Sequence, residues 1–393
     1  MDLLYHYGAL FVQFLQNTQI PSQLLILASH FANPPTVNAI VFPIAFFLHP
    51  FLGSATLLSI NFSEWLNCIL KWILDDDRPY WWVHTNGKEH IMLKQFPLTC
   101  ETGPGSPSGH CMVMISGWPP LLLYIRRRNS RLGFILLTLF ITSIVLVAVS
   151  RMYIAAHFPH QTILGSIAGT LIGLFFHEWL MNSDERSFKS SKKIIHFHSS
   201  ILNSPSTLFA IGVLSLIAGK AVGVLLNYVG TDVERSYRLA TKYCARPEWL
   251  HPSTSAMASY SRVTGALIGL SGALFLHPLT ASSSKSAVPS LWKFVLSCAV
   301  TLSAYYISHK AILSVSPFLK SLLEPIAFIP DISPLFYMGV LSALSPMIAA
   351  FTSSTLHANF FTSFNKQPTS PKLRNETSIV ASNSETRSIR NRK

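Results

Sequence analysis

Two histidines, two arginines and a lysine, spread over three short segments, are the residues of this chain whose types and spacing suit chemistry. The first segment is K-W-I-L-D-D-D-R-P, running from Lys71 to Arg78 and Pro79. The second, C-E-T-G-P-G-S-P-S-G-H, ends on Ser108, Gly109 and His110, and the third runs from Ser150 and Arg151 to His157. In the second, a Gly/Pro-rich turn stands directly before an apolar stretch. Ser108, Gly109 and His110 should therefore present backbone N–H groups at a helix N-terminus, where an anion, phosphate above all, is expected. Two guanidiniums suit bidentate contacts to phosphoryl oxygens and a lysine adds a point charge. Two histidines then supply a nucleophile and an acid. Five scattered cysteines and no C-x-x-C pair argue against a zinc, redox or other metal centre, so the chemistry is expected to need no cofactor.

These segments need elements to hold them, and the composition says which kind. Charged residues are 12% of 393, where about 25% is usual. Hydrophobic residues make up 49% and the mean hydropathy is +0.37, as expected where much of the solvent is lipid. A net charge of +13 sits in short clusters between apolar runs, not along one face, which reads as orientation signals and not as nucleic-acid binding. About nine apolar runs have the length of a spanning helix: near 24–48, 51–74, 108–125, 132–149, 157–180, 206–228, 255–278, 290–313 and 334–361. The expected fold is an all-α polytopic membrane helix bundle of about nine transmembrane helices, its phosphatase core formed by spans two to five. Asn33, Pro34 and Pro35 interrupt the first span, a break that neighbouring helices can shelter.

Lysines and arginines mark cytoplasmic loops. Arg126, Arg127, Arg128 and Arg131 lie between spans three and four, Arg186, Lys189, Lys192 and Lys193 between five and six, and Lys285 between seven and eight. An odd number of spans then puts the N-terminus outside the cytoplasm and the C-terminus inside it. The chain divides into a transmembrane domain over 1–363 and a polar tail over 364–393, which is expected to be disordered and cytoplasmic. With no basic n-region or small-residue cleavage site, the start of the chain does not read as a cleaved signal, and the first span is expected to direct insertion. This topology, which rests on loops elsewhere in the chain, brings Lys71, Arg78, Ser108, His110, Arg151 and His157 to one membrane face.

Together the three segments resemble the signature K-x6-R-P, P-S-G-H, S-R-x5-H of the type 2 phosphatidic acid phosphatase superfamily, which includes vanadium haloperoxidases. Longer stretches are similar to the glucose-6-phosphatase family: R-P-Y-W-W-V at 78–83, K-Q-F-P at 94–97, the whole of 100–110, A-A-H-F-P-H-Q at 155–161, and P-E-W at 247–249 followed by His251. The resemblance implies that His157 attacks phosphorus and that His110 protonates the leaving oxygen and then activates water. Lys71, Arg78, Ser108, Gly109 and Arg151 would bind the phosphoryl group. It further implies hydrolysis of glucose 6-phosphate or a similar sugar phosphate, serving gluconeogenesis and glucose release. The compartment would be the endoplasmic reticulum membrane, with the active site lumenal and a glucose-6-phosphate transporter as a partner.

The chain also departs from these relatives. Superfamily members often carry an Asp four residues after the nucleophile to orient it. Here, as in glucose-6-phosphatases, that position is Gln161, so the orienting group is expected from elsewhere. Asn33 stands where the family tends to have an Asp, and Asp75, Asp76 and Asp77 stand where it is usually uncharged. The acidic run is expected at the membrane surface in water. Cys100 and Cys244 would share an oxidising lumen, where either a disulfide or separate thiols fit. His160 would form part of the substrate wall. The sequon at Asn375 lies in the cytoplasmic tail and would go unused, and Arg390 and Arg392 are weak retention signals. Competing readings are a lipid phosphate phosphatase, whose relatives usually have about six spans, a catalytically weak sugar-phosphate-binding regulator, and a transporter.

Overall fold

The computed structural model describes residues 2–189, 204–276, 291–323, 339–349 and 352. Among the described residues every regular element is helical, and extended pairing is confined to an isolated bridge between Glu101 and His251. In chain order the helices are α1 (Asp2–Gln16), α2 (Ser22–Phe31), α3 (Pro34–Leu48), α4 (Pro50–Leu74), α5 (Pro79–Thr85), α6 (Gly109–Arg128), α7 (Ser130–Tyr153), α8 (Pro159–Lys189), α9 (Pro205–Tyr228), α10 (Arg235–Tyr243), α11 (Ala256–Leu276), α12 (Leu291–Leu323) and α13 (Gly339–Ala349). Two short 3₁₀ turns, Pro247–Trp249 and Pro252–Thr254, join α10 to α11.

Prolines set many of these starts. Pro34, Pro50, Pro79 and Pro205 occupy first-turn positions, where a missing N–H costs nothing and the fixed φ suits a helix. The break read at Asn33 is a 60° bend between α2 and α3. At the other end of α4, Asp75 adopts a left-handed conformation (φ 37°) that stops the helix.

By length and apolarity alone, α7 and α9 can cross a membrane, and the bent α2–α3 pair makes a third candidate among the described residues. The nine spans read from the sequence are therefore not all reproduced as long apolar helices. The reason is visible in α4, which carries Ser54, Thr56, Asn61, Ser63, Glu64, Asn67 and Lys71 buried on its inner side. A helix that lines a polar cavity loses mean hydropathy without losing its place in a bundle. On α7, by contrast, Phe134, Ile135, Leu139, Ile141 and Val145 are all more than half exposed, as a lipid-facing surface requires. Most of the ninth predicted span, the Lys192, Lys193 and Lys285 loops, and the tail with Asn375, Arg390 and Arg392 fall outside the described residues.

The centre of the bundle is α4, α6 and α8, with α3 and α7 packed on α6, and α9 and α11 on α4. At the contact of α6 and α8, a Cβ on Gly165 would stand 2.6 Å from the Ser108 carbonyl oxygen, so only glycine lets α8 reach the start of α6. A buried ion pair joins α4 to α11: Arg262 Nε and Nη2 lie 2.8 and 2.6 Å from Glu64 Oε1. The element no sequence pattern announced is α1. Its Ala9, Val12 and Leu15 pack with Trp82, Tyr153 and Phe158 in one core, while Leu3, Tyr7 and Phe14 on its other side are exposed.

Candidate active site

The three segments meet. Arg78 caps the N-terminus of α5, Ser108 that of α6, Arg151 sits in the last turn of α7, and His157 lies in the short connection to α8. Arg78, Ser108, Arg151 and His157 have no exposed surface, and Lys71 and His110 are buried as well. Arg78 is clamped by carbonyls: Nε donates to Gly103 at 2.7 Å, Nη2 to Pro104 at 3.0 Å and Nη1 to Ala156 at 3.0 Å. The same Nη1 is 3.3 Å from His157 Nε2. An arginine can only donate, so Nε2 is the accepting nitrogen of that ring. Lys71 projects from α4 toward the same loop, its ammonium near Gly103.

At the centre is Glu101, a residue to which sequence reasoning assigns no role. Its carboxylate is 2.8 Å from Arg78 Nη1, 2.5 Å from Arg151 Nη2 and 3.3 Å from His110 Nδ1, with His157 Nε2 at 3.7 Å. Burial alone would push this carboxyl up, but Arg151 and Arg78, helped by the two histidines, hold it well below the ordinary glutamate range. His110 Nδ1 therefore faces an acceptor, which leaves Nε2 for proton exchange. The only advance signal was its place inside the C-E-T-G-P-G-S-P-S-G-H stretch.

The helix start expected to cradle phosphate differs in one detail from expectation. The Ser108 N–H is already engaged, donating to the Gln161 carbonyl at 3.0 Å, because the close approach of α8 brings that oxygen to it. Gly109 and His110, as the first two residues of α6, keep the free N–H groups of a helix start. Ser108 Oγ and Arg151 Nε are buried and make no hydrogen bond within the protein. Buried donors of that kind suit an anion. Asn67 on α4 steadies the turn by donating to Pro107 O at 3.0 Å.

Three further expectations change. Gln161 does meet the His157 ring: its Oε1 is 3.2 Å from Nδ1 and also accepts from the Phe158 N–H at 3.0 Å. The orienting group thus stands at the very position where the superfamily's Asp is absent. The acidic run does not simply face water. Asp76 is 9% exposed and bonded to Tyr5, His160 and Gln161, while Asp77 pairs with Arg235 at 2.8 Å and Asp75 is the more open member. His160 consequently serves Asp76, stacked beside Phe158, and does not line the cavity. Asn33 does line it, at the α2–α3 bend.

Cys100 and Cys244 form a disulfide across a sequence separation of 144 residues, tethering the segment that carries Glu101 to the end of α10. Thr102 N–H donates to Thr254 Oγ1 and His251 N–H to Cys100 O, which extends that tether. Cys244→Ser is expected to cost about 2–5 kcal/mol, read as a lower temperature of inactivation that reductant no longer changes.

Beside the site lies a cavity of about 810 Å³. Lys71, Glu101, His110 and Arg151 line one end, and Asn33, Glu64, Asn67, Thr254, Arg262 and Tyr305 contribute polar groups elsewhere on its wall. His157 and Arg78 contact Glu101 without lining the cavity. Among the described residues no cluster of His, Cys, Asp or Glu is arranged to hold a metal ion.

The chain is also similar to known proteins. Residues 53–185 match the PAP2 superfamily. The chain is 34% identical over 317 residues to glucose-6-phosphatase catalytic subunit 1 of Canis lupus familiaris, covering 76% of this chain and 83% of that one. It is 35% identical over 252 residues to glucose-6-phosphatase 3 of Homo sapiens, covering 62% and 67%. No solved structure matches it.

Proposed function

From a chain that belongs to the glucose-6-phosphatase family, we propose an enzyme that hydrolyses glucose 6-phosphate, or a similar sugar phosphate, through a phosphohistidine at His157. The observation that carries this reading is the pair of contacts that hold the His157 ring. Arg78 donates toward Nε2 and Gln161 Oε1 accepts at Nδ1, so the Nε2 lone pair is available and directed at the arginine cluster. A phosphoryl group reaches it by replacing the Glu101 carboxylate on Arg78.

The steps balance without a metal. The Nε2 lone pair forms the P–N bond as the ester P–O bond breaks, and the leaving sugar oxygen takes a proton from His110. Water then attacks phosphorus, giving its proton to His110, and the P–N bond breaks to release inorganic phosphate and restore both rings. Lys71, Arg78, Arg151 and Ser108 Oγ, together with the Gly109 N–H, neutralise charge on the phosphoryl oxygens. Asn33, Asn67, Thr254 and Arg262 place hydrogen-bonding groups on an otherwise largely apolar cavity wall, and these suit the hydroxyls of a sugar leaving group.

The same reading sets the enzyme in the endoplasmic reticulum membrane, N-terminus and active site lumenal, C-terminus cytoplasmic, serving gluconeogenesis. The arginines at the end of α6 support that orientation, and the Cys100–Cys244 bridge suits an oxidising lumen. A lumenal site needs a glucose-6-phosphate transporter as partner. The test is phosphate release by the purified protein from glucose 6-phosphate and from phosphatidic acid. Sugar-phosphate turnover with little lipid turnover is expected, and the reverse preference would make this a lipid phosphate phosphatase.

A further inference from the structure

Asp76 is a buried carboxylate within one side chain of the nucleophile. One oxygen accepts from Tyr5 of α1, and the other from Gln161 Nε2 at 3.0 Å, with His160 Nε2 at 3.1 Å. Gln161 in turn presents Oε1 to His157 Nδ1. Tyr5, Asp76, Gln161 and His157 thus form one continuous line, whose members come from α1, the α4–α5 connection, α8 and the α7–α8 connection. The space for it is made at Gly105, where a Cβ would stand 2.4 Å from Gln161 Nε2.

A glutamine beside a histidine is ambiguous, since its amide can offer either an acceptor or a donor to the ring. A carboxylate only accepts, so Asp76 takes the NH₂ end, as the Asp77 carbonyl does at 2.6 Å, and Oε1 is left for Nδ1–H. The carbonyl alone would settle the orientation, but the carboxylate adds a full negative charge. His157 becomes cationic when Nε2 bonds to phosphorus while Nδ1 keeps its proton. A charge held one amide away stabilises that cation through a polarised hydrogen-bond chain. Burial alone would raise the Asp76 carboxyl, but the bonds from His160, Tyr5 and Gln161 bring it below the ordinary aspartate value, so it is ionised at neutral pH.

We propose that Asp76 is a positioning residue for the nucleophile, acting through Gln161 to hold the His157 tautomer and to offset the charge of the phosphohistidine. Tyr5 makes α1, which docks on α5 and α7, part of the same device. The inference rests on the phosphohistidine reading above.

The experiment is single-turnover phosphoenzyme formation by the full-length protein with phosphorus-labelled glucose 6-phosphate, comparing Asp76→Asn, Gln161→Ala and the double variant. Asp75→Asn, a change at a partly exposed left-handed position that asparagine tolerates and whose Arg235 partner stays held by Asp77, is the control and should behave as the unmodified protein. Asp76→Asn is expected to slow phosphoenzyme formation about 10- to 100-fold, with KM and inorganic-phosphate binding within about twofold of the starting values. In the Gln161→Ala background the same change should have no further effect, because its route to the ring is gone. A normal rate for Asp76→Asn, or an equal loss in both backgrounds, overturns the proposal. Loss of phosphate binding together with turnover assigns Asp76 to folding and overturns it too. Absence of any phosphoenzyme in the unmodified protein instead defeats the phosphohistidine reading itself.

Discussion

Replacing His157 by alanine is expected to lower sugar-phosphate turnover by about 10⁴-fold or more and to remove the acid-labile phosphoenzyme altogether. No other described group is set to take its place: His110 Nδ1 is turned to Glu101, and His160 is bonded to Asp76. His110→Asn should differ in kind. It removes the proton donor, slowing phosphoenzyme formation from a sugar ester by about 10²–10⁴-fold. With p-nitrophenyl phosphate, whose leaving group needs no proton, formation recovers in part. Water still lacks its base, so the phosphoenzyme accumulates. Quenching in alkaline denaturant, which spares a P–N bond, measures this with both esters, and a labelled enzyme in the His157→Ala variant would refute the nucleophile assignment.

Glu101→Gln is the second large effect. The change keeps shape but removes the one carboxylate that both guanidiniums and His110 share, leaving buried positive charge uncompensated. Such losses cost about 3–5 kcal/mol, which thermal inactivation of the purified protein will register. Catalysis should split: KM falls, since phosphoryl oxygens no longer displace a charged carboxylate from Arg78, while kcat falls because His110 Nδ1 loses its carboxylate partner. The pH dependence follows from the direction of the shift. A carboxyl held below its unfolded value contributes its full stability above about 4.3, and that contribution disappears only as pH drops through the depressed folded value. The difference in inactivation temperature between the unmodified protein and the Glu101→Gln variant should therefore be flat from about pH 5 to 8 and shrink in stronger acid. A difference that grows on acidification would contradict the ion-pair account.

The residues that sequence made visible are those whose role is local or set by span parity. Lys71 and Arg78 follow the end of one helix, Ser108 to His110 begin another, and Arg151 and His157 flank a third junction, so short spacing and alternating basic loops were enough to bring them together. Helical class was legible for the same reason, since apolar runs report an element directly. Where runs double as cavity walls, as in α4, their polar inner residues blur the count of spans.

The remaining design depends on pairs far apart in the chain. Tyr5 meets Asp76 across 71 positions, Cys100 meets Cys244 across 144, and Arg262 meets Glu64 across 198. No periodicity encodes such partners, because their proximity is produced by how α1, α10 and α11 pack against the central helices. Glu101 and Asp76 illustrate the consequence. As letters they were a motif filler and one member of a surface acidic run. Burial among arginines and histidines makes the first the centre of the site, and burial against Gln161 turns the second toward the nucleophile. The sequence by itself determined which groups are suited to handle a phosphoryl group and the reaction class they would serve. Only the tertiary structure decided which carboxylates hold those groups in their working geometry, since a carboxylate's role is fixed by what surrounds it and how far water is excluded.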